Sequence, residues 1–166
     1  MSLIETRPLA IYLQDHLAGA TAGSEVAHRT RDSNEDEGEL GDFLKTLSRQ
    51  IDEDRGVLIE MMDHLGIDRS RVKISGAWVG ERLGRLKLNG QLTGYSPLSR
   101  LIEFEALAIG ITGKRQLWES LRSCCDAELA RFDLDRLIAR ADKQLEGLAT
   151  HRGAAASEAL SEVAAE

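Results

Sequence analysis

The sequence predicts an all-α protein: a four-helix bundle with one long crossover between the second and third helices. Three observations carry this reading. The 166 residues include only two prolines and few aromatics, lack β-branched runs, and are rich in Leu, Ala, Glu and Arg. Apolar residues recur at steps of three and four in four separate stretches. The links between those stretches are short, long and short. Short links make antiparallel neighbours, whereas a long one lets two successive helices run parallel. The length suits one domain with a core that needs no staple. We place the bundle at residues 1–152 and read 153–166 as an Ala-rich tail able to extend the last helix.

The first helix opens at Pro8, a residue suited to the first helical position. Its seam reads Leu9, Leu13, His16, Ala20, Gly23 and Ala27, which sets one imidazole on the inward stripe. The stretch from Ala18 to Ser24 is small throughout, as expected where a second helix approaches closely. Residues 31–38 break the pattern and form a loop. Ser33 and Asn34 are candidate N-caps there, and the acids around them complement the positive end of the next helix. The second helix is the most regular, with Leu40, Leu44, Leu47, Ile51, Asp54, Leu58, Met61 and Leu65 in one seam and Gly66 as its stop. Asp54 is the one polar residue in that seam.

Residues 67–95 form the crossover and are the one basic part of an acidic chain. An amphipathic pattern around Trp78, Val79, Leu83 and Leu86 predicts a helix within 74–88 that lies on the bundle. Arg69, Arg71, Arg82, Arg85 and Lys87 would be the contacts if this segment bound an anion or nucleic acid. A net charge of −7 counts against nucleic acid and anionic membrane as general partners.

Ser96-Pro97 starts the third helix, which runs to about Ser123 and is apolar nearly all round, the pattern of a largely buried helix. Glu103 and Glu105 interrupt that run, and Glu105 is expected to need a partner such as Arg100 or Arg115. Gly110 and Gly113 mark either another close crossing or a local weakness of the helix. The fourth helix begins near Asp133 and carries Leu134, Ile138, Ala141, Leu145 and Leu148, with Gln144 beside them.

One crossover between the second and third helices is the topology of ferritin-like bundles. The stretches from Tyr12 to Gly23, Trp78 to Gly90 and Ser96 to Leu101 resemble an uncharacterised bacterial family of ferritin-like helical proteins. The likeness spans Leu9 to about His151. It implies the fold and brings no established activity.

Di-metal bundles of this class take a Glu from each of two helices and a Glu-x-x-His from each of the other two. Here the second helix follows Asp52, Glu53 and Asp54 with Arg55, Gly56 and Val57 at that offset, and the fourth follows Asp142 and Glu146 with Leu145 and Ala149. At 1.5 Å per residue, His16 and Asp54 fall at one level, whereas Glu105 lies about 10 Å away. The expectation is therefore a buried His16–Asp54 pair in a structural or partner-binding protein that self-associates and needs no cofactor, with the enzyme question left open. The alternative is a divergent iron or manganese carboxylate protein with His16, Asp54, Glu105 and Glu146 as ligands. Adjacent Cys124-Cys125 are poorly placed for a disulfide, and the N-terminus lacks a signal-peptide pattern. Both point to the cytoplasm.

Overall fold

The computed structural model describes residues 7–69, 95–125 and 127–161. They form four helices, α1 (Arg7–Asp32), α2 (Glu39–His64), α3 (Pro97–Cys125) and α4 (Leu134–Leu160), with no strand among the described residues. The expected helix within 74–88 lies outside them. At 26 to 29 residues each, the helices are about 39–44 Å long.

Their ends follow from local chemistry. Gly66, at φ 68°, takes the left-handed position that closes α2. The Ile67 and Gly66 amides donate to the Met62 and Asp63 carbonyls, and Ile67 tucks into the same apolar cluster as Met62. Ser96 Oγ accepts from the Ser99 amide at 3.1 Å at the start of α3, and Asp133 accepts from the Arg136 amide at the start of α4. The α2 start departs from expectation. Gly38 is its N-cap, without a side-chain bond, while Glu39 and Asp42 supply the acids of the first turn. Asn34 is buried instead, donating to the Thr30 carbonyl and the Tyr95 hydroxyl.

Cross-helix contacts fix the directions. Tyr12 meets Ser120 and Arg29 meets Glu103, so α1 and α3 are antiparallel. Gln144 meets Gln50, and Phe43 packs on His151, so α2 and α4 are antiparallel too. The most extensive packing joins α1 to α2 and α3 to α4. Running along the bundle, α2 and α3 therefore point the same way. The last helix continues through the Ala-rich stretch to Leu160, with Ala155 buried and Arg100 bonded to Glu158 at 3.1 Å.

The core has two apolar halves. Leu13, Leu17, Leu58, Met61, Trp118 and Leu137 belong to one. Val26, Leu47, Ile51, Phe104, Ile111 and Leu148 belong to the other. Helix α2 buries the face its spacing predicts, including Asp54. Helix α1 buries Leu13 and Ala27 of the predicted seam but is rotated toward Leu17, Ala18, Ala22 and Val26, which are buried too, whereas His16, Ala20 and Gly23 are only part-buried. Small residues on several faces left its rotation open.

The glycines also differ from expectation. A Cβ at Gly19, Gly23, Gly110 or Gly113 would meet open space. The close approaches are at Gly41, where a Cβ would lie 2.8 Å from the Glu35 carbonyl oxygen, and at Gly147, under the Phe43 ring. Gly41→Ala should thus lower stability by about 1–3 kcal/mol, because backbone must move. Gly19→Ala, on an exposed helical position, should raise it by about 0.5–1 kcal/mol. Urea unfolding midpoints of the two variants should move in opposite directions from the parent.

Candidate functional site: an ion layer at mid-bundle

Between the apolar halves lies a polar layer centred on Asp54, which is 1% exposed. Its position in the α2 seam, between Ile51 and Leu58, gives the carboxylate no route to water. Lys114 on α3 occupies the turn between Ile111 and Leu117, and its Nζ stands 2.5 Å from Asp54 Oδ2. Arg140 on α4, beside Ala141, donates to Asp54 Oδ1 and also to Glu53. Gln144, one turn on, accepts from Lys114 at 2.7 Å and donates to Gln50 at 3.0 Å. Two cations from two helices thus meet one buried carboxylate from a third.

A charge removed from water is tolerated only when paired and hydrogen-bonded. Burial pushes the Lys114 ammonium below its ordinary pKa, with Arg140 adding to that push, while the Asp54 charge and hydrogen bond hold it up. The layer can orient and bind helices, and each oxygen of its carboxylate already accepts from a cationic side chain. Another cation placed there would be repelled by Lys114 and Arg140.

Two further networks tie the helices. Glu103 is 5% exposed and receives bonds from Arg29, Thr30 and Tyr95 at 2.7, 3.0 and 3.0 Å. Burial of the Tyr95 hydroxyl raises its pKa, against the Asn34 bond and helped by the Glu103 charge, so it remains a donor. On the α1–α2 face, Asp52 accepts from Ser24 at 2.5 Å and bonds His28 Nε2 at 2.7 Å. Burial opposes the charge of Asp52, but these two bonds and the nearby His28 and Arg55 outweigh it and depress its pKa. Ser24 and His28 both spend their contacts on the carboxylate rather than on each other, so no nucleophile–base pair results. Asp52 also edges an open cleft of about 450 Å³ that includes Arg31, Lys45 and Arg49.

The structure does not assemble the proposed metal quartet. His16 stands edge-on to Tyr12 with ring centroids 4.5 Å apart, and desolvation lowers its pKa although Asp15 raises it. The expected His16–Asp54 pair is replaced by Asp54 with Lys114 and Arg140. Glu105 is exposed and meets Arg152 at 3.3 Å, in place of Arg100 or Arg115. Glu146 is exposed as well. Among the described residues, no three His, Cys, Asp or Glu side chains group closely enough to hold a metal ion. The expectation that the chain has no Glu-x-x-His at all is wrong: Glu25-Val26-Ala27-His28 on α1 is one. Glu25 is exposed, and His28 is held by Asp52. Of the basic set, Arg69 pairs with Asp63 at 3.3 Å, and Arg71, Arg82, Arg85 and Lys87 lie outside the described residues.

Sequence reasoning singled out the wrong glutamate and overlooked Lys114 and Arg140. The missing signal was the α3 stripe Phe104, Leu107, Ile111, Trp118, whose helical spacing runs through Lys114. Fold and site together define a helical bundle whose core is divided by an internally neutralised ion layer. Comparison with family models, curated proteins and solved structures returned no match.

Asp54→Ala should cost about 3–5 kcal/mol, because two cations then lose their buried counter-charge. Replacing Asp54, Lys114 and Arg140 together by Leu, Met and Leu should cost much less or even stabilise. Urea unfolding of the single and triple variants checks this. A triple variant as unstable as the single one would contradict it.

Proposed function

We propose that this chain is a non-catalytic, structural or partner-binding protein with a ferritin-like, one-crossover topology. The carrying observation is the pairing of Asp54 with Lys114 and Arg140, one on each carboxylate oxygen. In di-metal bundles the inward carboxylates are neutralised by metal ions. Here the chain's own cations neutralise the mid-bundle carboxylate, and the donor set does not fit a metal pair. The one-crossover topology is supported by the shared direction of α2 and α3, which puts the end of α2 and the start of α3 at opposite ends of the bundle. That no described helix is long and apolar enough to cross a membrane is compatible with a cytoplasmic setting.

Elemental analysis of protein purified without chelator tests the reading. We expect no stoichiometric iron or manganese. Stoichiometric metal that disappears in Asp54→Ala would overturn it and favour the divergent di-metal carboxylate alternative.

Self-association belongs to the same proposal. Ile109, on the outer side of α3, is 75% exposed and borders a shallow depression with Ala108, Thr112, Gly113 and Gln116. A second copy covering this strip would remove that apolar surface from water. Light scattering should show the parent as an oligomer and Ile109→Glu as a smaller species. A monomeric parent would remove this part of the proposal.

A further inference from the structure

We propose that Cys124 and Cys125 form a bidentate dithiol site for a three-coordinate thiophilic centre of the trivalent arsenical class. The two residues occupy the last turn of α3, and their Sγ atoms stand 3.1 Å apart. Cys124 is exposed, while Cys125 is half-buried against the apolar cluster of Leu121 and Leu129. One sulfur is therefore open to attack by solution species and the other is held in place by packing. They are the only cysteines in the chain.

Geometry chooses among the partners that soft sulfur ligands accept. A disulfide between helical neighbours is disfavoured, because their Cα atoms are about 3.8 Å apart and disulfides ordinarily need at least about 4.4 Å. Tetrahedral zinc, with Zn–S near 2.3 Å, spreads two sulfurs to about 3.8 Å and needs two further ligands. Among the described residues no group of three metal-ligating side chains includes this pair. A linear two-coordinate ion would spread the sulfurs wider still. A pyramidal centre with bonds of similar length near right angles asks for only about 3.3 Å. That bite is close to the one the helix end already holds.

Burial, helped by the Cys124 bond, pushes the Cys125 thiol up to about 12, so it enters the reaction as a thiol. With a monosubstituted arsenical R–As=O, Cys124 adds first and Cys125 closes the ring. Two As–S bonds form, the As=O bond and two S–H bonds break, and the oxygen leaves as water with both protons. Arsenic stays trivalent and no electrons are transferred.

Phenylarsine oxide is the probe, applied to the reduced full chain and read by intact mass. We expect one phenylarsenic per chain, retained in excess 2-mercaptoethanol and released by 1,2-ethanedithiol. Cys124→Ser and Cys125→Ser should each lower the affinity about 10²-fold or more, because the second bond forms intramolecularly only when both thiols are present. Circular dichroism checks that each variant remains helical. Cys124 is exposed, so its serine variant decides the matter if Cys125→Ser does not fold. An adduct stripped from the parent by 2-mercaptoethanol, or retained equally by Cys124→Ser, would overturn the proposal.

Discussion

The interaction on which the rest of the structure depends is the pairing of Asp54 with Lys114 and Arg140. It sits where the core would otherwise be continuous and joins α2 to both helices of the second hairpin. Charges this deep are costly to desolvate and recover that cost only with close geometry. The bundle therefore has a level that must be met: sliding α3 by one turn would leave Asp54 facing Ile111 or Leu117. The apolar halves supply most of the driving force through area removed from water. That term is nearly indifferent to register, whereas the ion layer is not.

Glu103 plays a related part nearer one end. It receives Arg29 and Thr30 from α1 and Tyr95 from just before α3, fixing the antiparallel α1–α3 contact. Arg100 then reaches Glu37 at the α1–α2 loop and Glu158 near the end of α4. Arg100 is mostly covered, but both glutamates are about half exposed, so this outer clamp contributes less than the buried layer. The three networks grade from obligatory at the centre to permissive at the rim.

A carboxylate at mid-bundle is the feature that invites a metal reading. What surrounds it bears on that reading. Lys114 and Arg140 bring two positive charges to within hydrogen-bond reach, one on each oxygen of the acid, and that local balance disfavours a further cation.

Much of the fold was legible in the residues themselves. The unbroken three-and-four spacing of α2 placed Asp54 inward, and Ser96-Pro97, Asp133 and Gly66 marked helix ends, because caps and periodicity are local properties of the chain. The rotation of α1 was not legible, since alanines and glycines on several faces allow more than one buried side. Nor was the choice between Glu103 and Glu105 easily read, since apolar residues on the other faces of α3 mask the stripe through Phe104, Leu107, Ile111, Lys114 and Trp118. Only the tertiary structure decided these, by bringing Arg29 to one glutamate and Arg152 to the other. It alone also set Lys114 and Arg140 on Asp54, a meeting of residues 60 and 86 positions apart that no local spacing encodes.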